Sequence, residues 1–403
     1  MTDKLYYQDS YIQTFSTNLI KQSKDEDGHW YVIIEKTAFY PTGGGQPFDQ
    51  GTINEHKVLN VEEVDGEIRH YLEQPLPESM EQLNGQIDWE RRFDHMQQHA
   101  GQHILSAAFE ELFGYSTVGF HLGNEVLTID LDTETFSEKE ALDAEKLANQ
   151  IILESRPIET KWVSLEEVSD YPLRKQLSVS ENIRLVIIPE FDYNGCGGTH
   201  PNSTGEVGMI KILDWSRQSK KTRIQFVCGN RVWHQLHRKQ HIILELSKLL
   251  NSPEEGMVQS LNRLLDQVKS VDKRSDELSK MILQYEAKEL QENSTMDNGI
   301  ALITKVFQDR SMKEMQMLAR MIVTEAKDVI VLLISENESQ LQVVAARGEA
   351  LKVSMKDLLA SLLPSINGKG GGNDSFAQGG GEGIISGQQL LESGLNLFKE
   401  KDK

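Results

Sequence analysis

Two cysteines and eleven histidines occur in 403 residues, and four of these thirteen stand in a pattern that could do chemistry. In "YNGCGGTHPNSTGEVG", Cys196 sits among Gly195, Gly197 and Gly198, and His200 follows four residues later. Thiolate and imidazole are both good zinc ligands, so C-x-x-x-H is half of a metal site. The other half lies in "DHMQQHAGQHILSAAFEELFG", where His99 and His103 stand four apart. On a helix, i and i+4 share one face, so both imidazoles can reach one ion. Together the four suit tetrahedral zinc, one ion per chain. The glycines let the backbone turn tightly and come close to an ion or a substrate. His95, one turn earlier, reads as a supporting or surface residue. Either half alone also occurs in chains that bind nothing.

The elements that must position these residues follow from local pattern. The first 90 residues are β-rich: "HWYVIIEKTAFY" and "HKVLNVEEV" have strand character between Pro/Gly punctuation. A helix is predicted over Asp94–Gly114, with Asp94 as N-cap and Gly114 as stop. "NEVLTIDLD" alternates as a strand, and "SEKEALDAEKLANQIILESR" opens with Ser137 and Glu140 as a capping box. "NIRLVIIPEF", "EVGMIKILDW" and "KTRIQFVCG" read as strands. From about residue 231 the pattern becomes helical. Leu261, Leu264, Val268, Val271, Ser275, Leu278, Ile282 and Tyr285 fall at alternating a and d positions. That spacing fits a helical hairpin or short coiled coil, and equally a long helix packed on its own domain. Buried-type strands alternating with helices then predict a small α/β domain.

The formal net charge is −20, which argues against indiscriminate nucleic-acid binding. Residues 1–90 hold 6 Lys/Arg against 17 Asp/Glu, whereas residues 226–403 hold 22 against 24. The acidity sits at the front, and basic runs at Ser216–Arg223 and Arg231–His241 leave room for a selective RNA partner or for a merely mixed surface. No apolar run is long enough for a membrane span, and the first residues lack a secretory apolar stretch. A reducing cytoplasm is the expected setting for two cysteines that make no disulfide framework. No P-loop and no Asp-His-His motif is found.

"HAGQH" followed about 90 residues later by "CGGTH" resembles the editing domain of alanyl-tRNA synthetases and the free-standing AlaX editing proteins. "TAFYPTGGGQPFDQG", "RRFDHMQQHAGQHILSAAF" and "TVGFHLGNEVLTIDLD" are similar to the same family, and "GKGGGNDSFAQGGG" resembles the glycine-rich signature of a DHHA1 domain. The whole resembles the long form of AlaX. Ala100 departs from the family's frequent Thr, at a position that is not a ligand.

The resemblance implies an α+β protein in four parts. These are a β-barrel-like domain with the glycine-rich motif (1–90), a zinc-containing editing domain (91–230), a helical hairpin or coiled coil (231–293) and a DHHA1-like domain (294–403). It implies hydrolysis of the ester joining a wrong amino acid to tRNA-Ala, chiefly serine, with glycine as a second candidate. Four protein ligands describe a closed zinc site, whereas catalytic zinc keeps one position open. His200, at the end of its loop, is expected to be the loose ligand. A non-catalytic, zinc-stabilised tRNA-binding protein is the alternative. Gly43, Gly44, Gly45 and Gln46 would line the pocket, or Thr42–Gly45 is simply a hairpin turn. His121 is a candidate water or substrate contact, or an ordinary structural histidine. Thr37 is expected to meet the serine hydroxyl and Gln46 to supply pocket polarity, since a hydrogen-bonding pocket discriminates far better than an apolar one. The alternative for Thr37 is a strand residue. Lys369, Gly370, Gly371 and Gly372, with Arg347, would approach RNA phosphate. The helical and C-terminal regions are expected to contribute to tRNA affinity and to a homodimer.

Overall fold

The computed structural model describes residues 2–401 except Glu78, Ser178 and Asn298. The chain divides into two compact units, Met1–Leu246 and Ser247–Lys403.

The first unit begins with six strands: β1 (Thr14–Lys24), β2 (Trp30–Ile34), β3 (Gly51–Ile53), β4 (His56–Val64), β5 (Glu67–Leu72) and β6 (Gln82–Ile87). They close into a barrel in the order β1-β2-β5-β4-β3-β6. Alternation supplies the core: in β5, Ile68, His70 and Leu72 point inward while their neighbours do not. The barrel is filled by Ile34, Phe39, Ile53, Val58, Ile68 and Leu83 among others.

Helix α1 (Trp89–Phe113) leaves the barrel and becomes the spine of the second half of this unit. It starts five residues before the expected Asp94. Asp88 caps it by accepting the Arg91 N–H, and Asp94 is instead spent on the Arg231 guanidinium. Gly114 ends it with φ 71°, a left-handed conformation that suits glycine. Every residue from His95 to Phe109 is buried, so α1 is enclosed on all sides rather than along one stripe. On one side lies a four-stranded sheet of β7 (Thr117–Leu122), β8 (Leu127–Leu131), β12 (Ile210–Gln218) and β13 (Lys221–Cys228), in the order β12-β13-β8-β7. Helix α2 (Glu138–Leu153) carries the expected capping box of Ser137 and Glu140 and packs Ala141, Ala144 and Ala148 into the same core. A three-stranded sheet, β9 (Glu159–Val163), β10 (Ile183–Ile188) and β11 (Asp192–Gly195), leads into the cysteine loop.

Barrel and helix are pinned together by one buried ion pair. Arg92 of α1 donates through Nε to both Asp49 oxygens at 2.9 Å and through Nη1 to the Ser10 carbonyl at 2.9 Å. Neither side chain is exposed. Helix α3 (Asn230–Leu250) follows the last strand.

In the second unit, helix α4 (Met257–Glu292) is continuous over 36 residues. Its last turns bury Leu283 and Ala287 against the sheet, while the predicted a and d residues stand exposed, from 46 % at Leu261 to 76 % at Tyr285. Packing on its own domain is thus confined to one end of the helix. The sheet runs β14-β15-β16-β17-β19-β18, from β14 (Thr295–Asp297), β15 (Ile300–Gln308), β16 (Val329–Glu336), β17 (Gln340–Arg347), β18 (Lys369–Gly372) and β19 (Phe376–Glu382). Strand β16 is apolar on both faces because helices cover both. Val331 and Leu333 meet α4 and α5 (Met312–Glu325), and Leu332 and Ile334 meet α6 (Met355–Leu362) and α7 (Gly387–Lys401).

Candidate metal centre

His99 and His103 project from one face of α1, and the loop after β11 brings Cys196 and His200 to them. One ligand atom from each of the four lies within 4.8 Å of every other. Cys196 Sγ stands 3.4 Å from His99 Nε2 and 3.4 Å from His200 Nε2. Metal–sulfur and metal–nitrogen bonds of about 2.3 and 2.0–2.1 Å at a tetrahedral angle would place S and N roughly 3.6 Å apart. The four side chains therefore fit a single tetrahedral ion.

Their outer nitrogens are held as such a site requires. His103 Nδ1 lies 2.8 Å from Asp192 Oδ2, and Asp192 Oδ1 accepts from Arg174 Nε at 2.7 Å. His99 Nδ1 lies 3.1 Å from Gln46 Oε1. In both rings Nδ1 is committed outward, so Nε2 is the nitrogen left to bind an ion. His200 differs: its Nδ1 is buried and has no hydrogen-bond partner among the described residues.

Electrostatics favour a thiolate. Burial alone would raise the Cys196 pKa, but His99 and His200 beside it and a hydrogen bond to His103 hold it well below the ordinary thiol value. Burial works against an imidazolium at His103, yet Asp192 and the Cys196 sulfur outweigh it and hold that group up at about 9. Burial pushes His200 down to about 3. The loop itself is fixed by Arg184, which donates to the Cys196 and Gly198 carbonyls at 3.0 and 2.9 Å. Gly198 must be glycine for a local reason: a Cβ there would lie 2.3 Å from His99 Cε1.

The glycine-rich motif folds as a two-residue turn. Gly43 and Gln46 exchange backbone hydrogen bonds at 3.1 and 2.9 Å across Gly44 (φ 57°) and Gly45 (φ 84°). Two successive positive φ angles are what such a turn demands. The turn delivers Gln46 to the centre, where Oε1 accepts from the Thr199 N–H at 3.0 Å and Nε2 donates to Thr199 Oγ1 at 2.8 Å. Gln46 is therefore fully buried and engaged.

Beside the cluster opens a cleft of about 410 Å³, lined in part by Gly44, Gln102, Thr117, Phe120, Arg174 and Cys196. Phe120 stacks on His99 with ring centroids 5.7 Å apart. Gln102 Nε2 and Thr117 Oγ1 both donate to Ser106 Oγ at 2.8 Å.

Residues 183–227 match the family described as the threonyl and alanyl tRNA synthetase second additional domain. Residues 1–91 match class II (A) tRNA synthetases, and residues 299–401 match the DHHA1 domain. The chain is 34 % identical over 388 residues to the alanyl-tRNA editing protein AlaX-L of Pyrococcus horikoshii, covering 94 % of each chain. The protein belongs to the alanyl-tRNA editing protein family. It is 29 % identical to the alanyl-tRNA editing protein Aarsd1 of Mus musculus over 93 % of each chain. It is 30 % identical to the alanine–tRNA ligase of Pyrococcus abyssi, of which it spans 44 %.

Other residues of this editing-family chain that the sequence singles out lie outside the four-residue cluster. Thr37 is in the barrel interior and is not among the residues lining the cleft. Its Oγ1 is 2.8 Å from His70 Nε2 and accepts the Phe39 N–H at 3.1 Å, so the hydroxyl is already satisfied. A serine hydroxyl would have to displace His70 to reach it. His121 is exposed on β7, next to Phe120 but on the opposite face, and does not line the cleft. His95 is buried outside the four-residue cluster. In the second unit, Lys369, Gly370 and Gly371 border a groove of about 680 Å³. Arg347 is not among its lining residues, and its Nε and Nη1 donate to the Asp374 and Gly348 carbonyls. A Cβ at Gly370 would lie 2.5 Å from the Gln378 carbonyl oxygen, so this glycine has an internal cause, whereas Gly371 faces open space. Sequence reasoning missed Asp192, Arg174 and Phe120. Asp192 alone had a local signal, a carboxylate four residues before Cys196.

Proposed function

We propose that this chain hydrolyses the ester joining serine, and also glycine, to tRNA-Ala, at a zinc site formed by His99, His103, Cys196 and His200. The observation that carries the reading is that the cluster opens onto the cleft through Cys196, the one member of the four that is not fully buried. Zinc, when bound, would supply Lewis acidity towards the ester carbonyl or a water. Asp192 and Gln46 are positioning residues: they fix the rings of His103 and His99 by taking their outer N–H groups. His200 has no such partner, which supports its assignment as the loosest ligand. Gly44 of the turn and the Phe120 ring form part of the cleft wall.

Discrimination between seryl and alanyl esters needs polar groups that alanine leaves unpaired. Gln102, Ser106 and Thr117 are the hydroxyl and amide groups beside Phe120, and we assign the serine hydroxyl to them. The groove at Lys369 and Gly371 takes RNA phosphate in this reading, and the exposed a and d stripe of α4 pairs with that of a second copy, since such a stripe is self-complementary. A reducing cytoplasm is the implied setting, because Cys196 must stay reduced to serve as a ligand. No helix among the described residues is long and apolar enough to cross a membrane.

The test is release of serine from seryl-tRNA-Ala by the purified chain, with and without chelator. Four protein ligands also suit a closed, structural ion. Zinc-dependent folding with no serine release would establish that second reading.

A further inference from the structure

The cleft beside the metal cluster departs from the rest of the molecule in charge. Its lining contains Arg174, Lys175 and Arg184 and, among the described residues, no carboxylate, on a chain of net charge −20. A concave surface of one sign concentrates ligands of the other. Arg174 is more than a surface cation. Its side chain is only 8 % exposed, its Nε is spent on Asp192, and its Nη2 is buried without an acceptor among the described residues. A buried donor without a partner in a cleft wall is a place where a ligand acceptor fits.

The rim of the same cleft is aromatic. Tyr7 and Trp162 both line it, and their rings meet edge to face at 5.4 Å. Trp162 is 52 % exposed, an unusual placement for the largest apolar side chain. It sits on β9 directly opposite Arg184 of β10, and the Arg184 guanidinium lies over the Tyr7 ring at 5.0 Å. That same Arg184 holds the Cys196 and Gly198 carbonyls. The aromatic rim is thus tied through one side chain to the loop that carries two of the four cluster residues.

An exposed indole beside cationic side chains is what single-stranded nucleic acid uses: a base stacks on the ring and the backbone follows the charge. We propose that Trp162, buttressed edge to face by Tyr7, forms the stacking platform for the terminal adenosine of the tRNA, with its 5′-phosphate on Arg174 and Lys175. This assignment rests on the editing reading. It gives the ester-bearing nucleoside a seat at the rim and directs its ribose hydroxyls towards Cys196. The cleft volume of about 410 Å³ is within the range that holds a small ligand.

Adenosine 5′-monophosphate is the probe, titrated calorimetrically into the zinc-loaded full chain, with ribose 5-phosphate as the control that lacks a base. Trp162→Ala is expected to weaken the nucleotide roughly tenfold, while Trp162→Phe stays within about threefold. Zinc content should be the same in both. Lys175→Ala is expected to weaken both probes, and Trp162→Ala only the nucleotide. Equal nucleotide affinity in the wild-type and Trp162→Ala proteins, or no binding to the wild type at millimolar concentration, overturns the platform. Binding does not depend on turnover, so the two readings separate. If serine is not released but Trp162→Ala still loses the nucleotide, the editing reading fails and the platform stands.

Discussion

The carboxylate of Asp192 lies 2.8 Å from Nδ1 of His103 and is itself held by Arg174 at 2.7 Å. The imidazole ring can therefore neither rotate nor change tautomer without breaking a buried charged contact. Asp192→Asn should lower metal affinity by about 10–100-fold, the usual cost of losing such a partner. Cys196→Ala should abolish stoichiometric binding. Zinc uptake should also release protons and weaken as pH falls, because the thiolate and neutral imidazoles are the binding forms. Full zinc occupancy in the Cys196→Ala protein, measured by metal analysis, would remove the site.

Thr37 gives the second prediction. Thr37→Val leaves His70 Nε2 and the Phe39 N–H unpaired inside the barrel. A loss of about 1–3 kcal/mol in denaturant unfolding is expected. The ratio of seryl to alanyl hydrolysis should stay constant in this variant and fall in Gln102→Leu. A tenfold change of ratio in Thr37→Val would return that hydroxyl to the pocket.

His70 also sets an acid limit. Burial pushes its pKa from 6.5 to about 4, with the Val32 carbonyl offsetting only part of the effect. The unfolded chain takes up this proton near pH 6.5 and the folded chain only near pH 4. Stability from this group is therefore complete above about pH 6.5 and declines as pH falls towards 4, by about 3 kcal/mol in all. Urea midpoints measured at pH 7 and pH 4.5 should differ more for the wild type than for His70→Phe. Equal differences would locate the acid sensitivity elsewhere.

The tail carries the fourth prediction. Val271→Glu places a charge on the exposed stripe of α4, where the side chain touches no described core. Sedimentation should then show a dimer converted to monomer, with zinc content and serine release intact. Lys369→Glu should weaken tRNA-Ala binding and flatten its dependence on salt. Unchanged sedimentation, or an unchanged salt slope, rejects the corresponding assignment.

The four cluster residues were legible because each pair is local: i and i+4 on a helix, and four residues apart in a glycine loop. Their supports were not. Gln46 meets His99, and Arg174 and Asp192 meet each other beside His103, only after the barrel, α1 and β11 have packed; the spacing of Asp192 to Cys196 does not name its partner. Period-two alternation at β7 fixes that Phe120 and His121 point opposite ways, but not which of them faces the cleft. Asp88 and Asp94 are equally good caps in isolation. Arg231, 137 residues downstream, decides between them by claiming Asp94. The a and d stripe of α4 was readable as apolar, but periodicity does not specify what covers it.

The buried pair of Arg92 and Asp49 has a consequence for how this architecture can be rebuilt. Separating the partners would strand a charge away from water, at about 3–5 kcal/mol. A barrel taken from one relative and grafted onto the helix of another must therefore bring its own matching partner. The two segments behave as a single cassette, and a chimera joined at residue 90 that lacks an acid at position 49 should fail to fold even when every metal ligand is present.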